Sequence, residues 1–316
     1  MVGDRGGPLA FLEARLVLGT LAVLGALPLG AQSLVAGSVA RLARRFDRRH
    51  SDAAREFMTQ ALGNGLSHAE REAKVLAAWR FFFTMIARSG RLDRVLRRDG
   101  FSAHFETHYG EGVREAFASK GGRILVAPHL GDFEAGAMSL AHLGLSPGYV
   151  VSRPPRNRHL SIAIQRQREG RGYRLLHRHG AMEDVSKILA ANGTLVMLLD
   201  QRARRRTVIA PFFGRAAHCE RAPAILMRRL GVPVITVWCE ALEQPWQYRM
   251  HFTRAFKPAD FASSTPEEIA TALNRAMEEM ILSAPEQYFW FHDRYRKAPA
   301  GDSAPPRGSP AARDPA

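Results

Sequence analysis

The chain has 316 residues, and its 45 Lys and Arg against 30 Asp and Glu give a formal net charge of +15. A hydrophobic share of 46% is typical of a folded globular protein and excludes general disorder and collagen-like or repeat fibres. Because the sequence has only two cysteines, Cys219 and Cys239, it excludes a disulfide scaffold and a cysteine-based zinc site. The arginine-rich positive charge favours polyanionic partners: nucleic acid, a phospholipid surface, a phosphorylated substrate or an acidic carrier protein.

The N-terminal region predicts a membrane anchor. No charged residue occurs from Leu16 to Ala40, a run long enough to cross a bilayer, although Pro28 weakens its second half. A signal peptide and a buried core helix are the alternatives, and Asp4 and Glu13 argue against the signal peptide. The arginines that follow suit anionic headgroups and the cytoplasmic side of a membrane. They are Arg41, Arg44, Arg45, Arg48 and Arg49. We therefore predict a membrane-anchoring segment with a basic flank over residues 1–50.

The rest of the chain predicts an α/β domain over residues 51–297. After a helical region at 51–95, short apolar runs alternate with helical stretches from Gly121 onward; the runs are RILVA, YVVS, YRLL, TLVMLL and VPVITVWCE. Strands separated by helices of about 10 to 14 residues imply crossover connections. We therefore predict a mainly parallel or mixed central sheet covered by helices. Residues 298–316 have too little apolar surface to fold and predict a disordered tail.

The first candidate for chemistry is His129 with Glu134, in the segment VAPHLGDFEAG. The two side chains would not share a face of one helix, so they can meet only if His129 precedes a helix that has Glu134 in its first turn. The sequence supports that layout, since Gly131 permits a sharp turn and Asp132 is a good N-cap for a helix beginning at Phe133. A histidine there can take a proton from a hydroxyl group, and a carboxylate on its other nitrogen fixes the tautomer.

Other histidine patterns compete with this pair. His179 and Asp184 have the same spacing and also lie between a strand-like run and a helix, and for each pair the alternative is a solvated histidine at a turn. His104, Glu106 and His108 suggest a metal site, but HFETH is not a zinc-protease helix and we expect no metal. No glycine-rich phosphate loop follows a strand, which argues against nucleotide-dependent chemistry.

Arginine is dense over residues 151–180 and again from Arg202 to Arg206. Solubilising surface charge explains most of these side chains. Position favours a function for Arg153 and for the cluster of Arg202, Arg204, Arg205 and Arg206, because both follow predicted strands on the same side of the sheet as His129.

Several blocks, in chain order, resemble the lysophospholipid acyltransferase superfamily and its bacterial lipid A (lauroyl/myristoyl) acyltransferase branch. The blocks lie between residues 120 and 297: APHLGDFE, SRPPRN, LLDQ with PFFGRAA, RAPAILMRRLGVPVITV, and PEQYFWFHDRYR. APHLGDFE is similar to the His-x4-Glu block of that branch, usually HxGNWE, with Asp132 and Phe133 in place of Asn and Trp. Ala222, His218 and Cys219 also depart from the usual residues, and such departures concern the substrate more than the chemistry.

The resemblance implies that His129 is the general base, that Glu134 orients it, and that no covalent enzyme intermediate forms. His179, with Asp184, is then interpreted as a solvated histidine at a turn. The same blocks imply a set of substrate-binding residues, to which Arg153, Arg202 and Arg204 are added by position. The set is Arg153, Asn157, Asp200, Gln201, Arg202, Arg204, Phe212, Phe213 and Gly214.

The resemblance also implies the substrates. An acyl thioester, on acyl carrier protein or coenzyme A, is the expected co-substrate, with no bound cofactor; the expected acceptor is a hydroxyl of a membrane glycolipid such as a lipid A precursor. We expect a monomer on the cytoplasmic side of the inner membrane, in contact with its anionic surface. A phosphatidylinositol mannoside or another lysolipid is the alternative acceptor, and a non-catalytic basic protein that coats membrane or nucleic acid is the alternative of another class. Nucleic acid is disfavoured, because the arginine clusters are not interleaved with stacking aromatic residues.

Overall fold

The computed structural model describes residues 5–145, 148–152, 155–171, 173–177 and 181–299. Its helices are α1 (Pro8–Ala26), α2 (Leu29–Phe46), α3 (Arg48–Leu62), α4 (His68–Asp99), α5 (Val113–Ala118), α6 (Phe133–Ser139), α7 (Arg158–Glu169), α8 (Ala181–Ala190), α9 (Ala222–Leu230) and α10 (Pro266–Ser283). Its strands are β1 (Phe105–Glu111), β2 (Arg123–Ala127), β3 (Gly148–Ser152), β4 (Tyr173–His177), β5 (Thr194–Leu198), β6 (Thr207–Phe212), β7 (Arg215–Glu220), β8 (Val234–Ala241) and β9 (Tyr248–Phe256).

Seven of the strands form one sheet in the order β1-β9-β8-β2-β5-β3-β4. Strands β8, β2, β5, β3 and β4 run parallel, whereas β9 is antiparallel to β8 and carries β1 parallel to itself. The predicted α/β class with a mainly parallel sheet is confirmed. Strands β1 and β9 and the separate antiparallel hairpin of β6 and β7 were not predicted from the sequence. The alternation of apolar and polar residues in YRMHFTRAF is the signal that predicts β9.

The sheet separates two apolar cores. In β2, Ile124 and Val126 belong to one core, and Leu125 between them belongs to the other. Neighbouring side chains on a strand point to opposite faces, so the consecutive apolar residues of β2 are covered on both sides of the sheet. The predicted disordered tail lies outside the described residues, apart from Ala298 and Pro299.

The uncharged N-terminal run forms two helices rather than one. The chain breaks at Leu27 and Pro28, because proline does not fit within a helix interior. Gln32 of α2 is buried, and its Nε2 donates a hydrogen bond to the Leu27 carbonyl oxygen at 3.0 Å. This bond satisfies a carbonyl that the break leaves without a helical partner.

Helix α1 packs against α4 and α7 at close range. A Cβ on Gly90 of α4 would lie only 2.7 Å from the Leu21 carbonyl oxygen of α1, so a larger residue at position 90 would separate the two helices. The opposite face of α1 is apolar and open, with Leu12 and Leu16 exposed to 62% and 73%. Among the described residues, α1 is the one helix long and apolar enough to cross a membrane, and it is largely unburied, unlike a core helix.

Phe57 of α3 lies at the centre of one core. Five aromatic rings from the β6–β7 hairpin and the C-terminal segment surround it: Phe212, Phe213, Tyr288, Trp290 and Tyr295. Aromatic pairs of this kind contribute about 0.5–1.5 kcal/mol each beyond their buried area. The cluster therefore fixes the hairpin and the C-terminal segment against α3.

Glu278 of α10 holds the tip of the hairpin. The Phe213 backbone N–H donates a hydrogen bond to Glu278 Oε1 at 2.7 Å. Burial raises the pKa of Glu278 to about 7. Since the unfolded carboxyl group has its ordinary pKa near 4.5, the folded state binds more protons between these two values, and stability falls as pH rises through this window.

We expect Glu278→Gln to weaken that pH dependence, because the amide oxygen still accepts the bond and never ionises. Between pH 5 and pH 8 the free energy of unfolding of the wild type should fall by about 2 kcal/mol more than that of the variant. Urea denaturation at a series of pH values measures this difference. Glu279→Gln is the control, because Glu279 is the exposed neighbour of Glu278. Its free energy of unfolding should depend on pH nearly as that of the wild type does. Parallel pH profiles for all three proteins would contradict the prediction.

Candidate active site

Strand register brings His129 and Asp200 together. In the parallel pair of β2 and β5, Ala127 is opposite Leu198, and His129 and Asp200 each follow two residues later. The Leu199 N–H donates a hydrogen bond to the Ala127 carbonyl oxygen at 3.1 Å and continues the pairing. Both side chains therefore emerge side by side at the carboxyl end of the sheet, where open α/β sheets bind their ligands.

Asp200 holds His129 through two contacts. The His129 backbone N–H donates to Asp200 Oδ2 at 3.0 Å, and His129 Nδ1 lies 2.7 Å from Asp200 Oδ1. Because an ionised carboxylate can only accept, Nδ1 carries the proton of the neutral ring and Nε2 keeps its lone pair. The arrangement presents Nε2 as a base.

Asp200 is ionised although it is only 2% exposed. Burial acts to raise the pKa of Asp200, but the His129 contacts and a hydrogen bond from the Tyr288 hydroxyl group lower it below its ordinary value. A buried carboxylate in this position stabilises the imidazolium that forms when Nε2 takes up a proton. The sequence identified Asp200 as a substrate-binding residue and did not identify Tyr288 at all.

The His129 side chain is 22% exposed, and its surroundings are mostly aromatic. Gln201 Nε2 lies 3.4 Å from His129 Nε2, and the rings of Phe133 and Phe289 are centred 5.6 and 6.2 Å from the imidazole. Phe289 in turn contacts Phe82 of α4 at 5.1 Å. One amide group and an apolar wall thus lie beside the basic nitrogen.

The turn between β2 and α6 has the predicted form. Helix α6 begins at Phe133, and Asp132 Oδ1 accepts a hydrogen bond from the Ala135 N–H at 2.9 Å as its N-cap. Gly131 has φ +66°, and a Cβ there would lie 1.8 Å from the Cys239 carbonyl oxygen, so only glycine fits. The Asp132 N–H donates to that same oxygen at 2.8 Å. Strand β8 therefore fixes the backbone that carries His129.

Glu134 does not contact His129 within the described part of the chain. Its carboxylate accepts hydrogen bonds from Arg168 and, at 2.9 Å, from the Tyr173 hydroxyl group, and Arg171 Nη1 lies 3.9 Å away. The expected contact between Glu134 and His129 is therefore corrected: Asp200 occupies the position beside Nδ1. The reason is that α7 and β4, which are distant in sequence, bring these cationic and phenolic donors to Glu134.

Several other predicted residues have structural partners. Asn157 caps α7 by accepting a hydrogen bond from the Leu160 N–H at 3.1 Å, and its Nδ2 donates to the Ala10 carbonyl oxygen at 2.7 Å, so it joins α7 to α1. Arg153 and His179 lie outside the described residues.

The two predicted arginines after β5, Arg202 and Arg204, have different surroundings. The Arg202 backbone N–H donates a hydrogen bond to His292 Nε2 at 2.9 Å. Burial lowers the pKa of His292 to about 4, so this ring is a neutral acceptor. The Arg204 side chain is exposed to solvent.

The PFFG segment forms the tip of the β6–β7 hairpin. Phe212 and Phe213 are buried in the core around Phe57, and Phe213 and Gly214 have φ +47° and +74°, as a tight hairpin turn requires. The structure thus accounts for these three residues by packing and turn geometry.

The histidines of HFETH also have partners of their own. His104 Nδ1 lies 2.8 Å from the Trp246 carbonyl oxygen, and Glu106 pairs with Arg249 at 2.8 Å. In the portion of the chain that the structure describes, no three His, Cys, Asp or Glu side chains are grouped to hold a metal ion.

A cavity of about 240 Å³ adjoins the turn on the β8 side. Its wall combines apolar side chains of α4 and the β8–β9 loop with polar and charged side chains. The lining residues include Phe81, Met85, Trp246, Arg88, Asp132 and Gln287.

The sequence pattern of one protein family, bacterial lipid A biosynthesis acyltransferase, matches residues 9–297. The chain belongs to this family. Among curated proteins it is similar to the lipid A biosynthesis palmitoleoyltransferase of Escherichia coli (strain K12) and to a lipid A biosynthesis acyltransferase of Shigella flexneri, at 24% identity over 203 residues in each case. The similar region covers 63% of this chain and 64% of each relative, so the chain spans just under two thirds of their length.

Family membership confirms the resemblance stated from the sequence blocks. The range that matches the lipid A acyltransferase pattern includes α1, the His129 turn and the Asp200 strand. At Asp132, where the family block usually has Asn, the carboxylate performs the capping that an Asn side chain also provides. This departure therefore leaves the geometry of the turn intact.

We expect Gly131→Ala to destabilise the protein by about 3 kcal/mol or more, because it combines a positive φ with a backbone clash against β8. Gly144→Ala is the matched control, since Gly144 has φ +72° and no atom within 4 Å of an added Cβ. It should cost only about 1 kcal/mol. Urea denaturation gives both values, and equal destabilisation by the two substitutions would show that the contact with β8 is not tight.

Proposed function

We propose that this chain transfers a fatty acyl group from an acyl thioester to a hydroxyl group of a membrane glycolipid, a lipid A precursor. The observation that carries the proposal is the His129 ring, whose Nε2 is held as a base at the open end of the sheet by the buried Asp200. Membership of the lipid A acyltransferase family and the exposed apolar face of α1 support the same assignment.

In this mechanism His129 Nε2 removes the proton of the acceptor hydroxyl group as its oxygen attacks the thioester carbonyl carbon. The new C–O bond gives a tetrahedral intermediate, which expels the thiolate as the C–S bond breaks. The imidazolium then returns its proton to the thiolate, so the products are the ester and the free thiol. Asp200 stabilises the imidazolium, and general-base catalysis of this kind contributes about 10²–10⁴ in rate.

Glu134 has a different proposed role. Its contacts with Arg168, Arg171 and Tyr173 support a positioning function, in which it holds these cationic and phenolic groups beside the His129 turn. Burial, followed by the charge of Glu134, raises the pKa of Tyr173, so the phenol remains a hydrogen-bond donor. Loss of Glu134 would thus disturb substrate binding more than proton transfer.

The donor is proposed to be an acyl carrier protein or coenzyme A. Arg204 and its neighbours Arg205 and Arg206 are exposed just beyond Asp200, a position that suits attraction of an acidic carrier protein. Such attraction is screened by salt over about 8–10 Å, so it would act mainly on the rate of association. A transfer assay with both donors at low and high salt distinguishes a carrier protein from coenzyme A.

The protein is proposed to act at the cytoplasmic side of the inner membrane. Support comes from the exposed apolar face of α1 and from the exposed Arg41, Arg45, Arg48 and Arg49 nearby in sequence, which suit anionic headgroups. Arg44 has another role, because it pairs with Glu72 of α4 at 2.7 Å.

Acyl transfer from a purified acyl thioester, followed by mass spectrometry of the lipid product, tests the proposed reaction. We expect His129→Ala to lower kcat by at least about 10³ and Asp200→Asn by about 10²–10⁴, with both proteins folded. Glu134→Gln should act mainly on KM. The added mass identifies the acyl chain, and the modified lipid identifies the acceptor, including a lysolipid or phosphatidylinositol mannoside.

His68→Ala is the control for removal of a histidine, because His68 is exposed at the start of α4. It should retain full activity. Full activity of His129→Ala would refute the mechanism, and a normal Asp200→Asn enzyme would show that the His129–Asp200 pair is not the functional one.

Membrane association is tested on the open face of α1. We expect the double substitution Leu12→Glu and Leu16→Glu to move most of the protein from the membrane fraction to the soluble fraction, because each charge makes insertion less favourable by several kcal/mol. Ile209→Glu, on the exposed side of β6, is the control and should leave the distribution unchanged. Fractionation of cell lysates at low salt gives the result, and an unchanged distribution of the α1 variant would refute the anchor.

A further inference from the structure

A second, strongly basic cleft lies between the C-terminal half of α4 and the C-terminal end of α7. It encloses about 440 Å³, and arginines dominate its wall. The residues that define it are Arg94, Arg97, Arg166, Arg171, Asp93 and Gly170. Four guanidinium groups face one carboxylate there, so the cleft has a net positive charge.

The side chains of two of these arginines, Arg94 and Arg166, have no partner in the described structure. Arg97 forms an ion pair with Asp93 at 2.9 Å and donates a hydrogen bond to the Gly170 carbonyl oxygen at 2.6 Å. Arg94 and Arg166 are exposed at the mouth of the cleft, and neither side chain has an ion-pair or hydrogen-bond partner among the residues that the structure describes. Their donor groups are available to a ligand.

Arg171 is the deepest cationic group, with only 5% of its side chain exposed. One terminal nitrogen donates to the Ser89 carbonyl oxygen at 3.2 Å, and the other lies 3.9 Å from Glu134, which is beyond hydrogen-bond distance. Its Nε is buried and has no partner in the structure. Arg171 is therefore a buried positive charge at the base of the cleft, and Glu134 compensates it only at a distance.

The cleft adjoins helix α1 on one side and Glu134, near the proposed active site, on the other. Its rim residue Gly90 is in direct contact with α1, and Arg171 approaches Glu134 in the first turn of α6, the helix that follows the His129 turn.

We propose that this cleft binds a phosphate group of the lipid acceptor, with Arg94 and Arg166 at its mouth and Arg171 at its base. The proposal rests on the proposed function. A phosphate monoester has several acceptor oxygens and up to two negative charges, and guanidinium groups bind it through paired, charge-assisted hydrogen bonds. The site would orient the glycolipid so that its hydroxyl group reaches His129.

The full chain with Arg94→Ala and Arg166→Ala tests the site, because both side chains are exposed and their loss should not affect folding. With an acyl thioester as donor, KM is measured for a bis-phosphorylated glucosamine disaccharide lipid and for its phosphate-free analogue. We expect KM for the phosphorylated acceptor to rise about tenfold or more, and KM for the phosphate-free acceptor and for the donor to stay unchanged.

Arg228→Ala with Arg229→Ala on α9 is the control, since it removes the same charge from an exposed surface elsewhere. It should leave all three KM values unchanged. An equal loss with both acceptors would overturn the proposal, and so would unchanged kinetics. A rise in the donor KM alone would assign the cleft to a phosphate of the thioester donor and would overturn it as well.

Flotation with vesicles separates this proposal from the proposed function, because it requires no turnover. Phosphatidylcholine vesicles contain either the phosphorylated glycolipid or phosphatidylglycerol at equal charge. We expect the Arg94 and Arg166 variant to lose binding to the glycolipid vesicles only. Equal loss on both would mean a general headgroup site and would overturn the proposal, whereas wild-type binding without acyl transfer would refute the proposed function alone.

Discussion

The pairing of β2 with β5 is the constraint on which the site depends. A parallel register shifted by one residue would turn the Asp200 side chain to the other face of the sheet, away from His129. Packing prevents that shift, because β2 presents Ile124 and Val126 to one core and Leu125 to the other. The apolar residues of two strands thus set the 2.7 Å contact that makes Nε2 of His129 a base.

The local sequence was sufficient to predict the strand, the turn and the helix that position the His129 backbone. The apolar run before it predicted β2, Gly131 predicted the turn, and Asp132 predicted the start of α6, and each of these depends on neighbours within a few residues. The partner of His129 was not predictable in the same way, because strand pairing joins residues that are distant in the chain. One signal was available: His129 and Asp200 each come directly or almost directly after an apolar run, RILVA and TLVMLL.

The contacts of Glu134 and of the PFFG segment were also not predictable from the local sequence. An acidic residue near a histidine predicts a pair, yet the donors on Arg168 and Tyr173 come from α7 and β4 and bind Glu134 more closely. The rings of Phe212 and Phe213 are equally suitable for a substrate groove or for a core, and only the position of Phe57 decides between them. Pro28, by contrast, is a local signal, and it does divide the N-terminal run into two helices.

The close packing of α1 against α4 and α7 bears on the position of the protein at a bilayer. Gly90 brings the backbones of α1 and α4 into contact, and Asn157 joins α1 to α7, so α1 is part of the rigid body and not a flexible tether. If the exposed face of α1 enters the lipid, the depth of that helix also sets the height of His129 above the hydrocarbon. The enzyme would then select hydroxyl groups by their distance from the bilayer plane as well as by their chemistry.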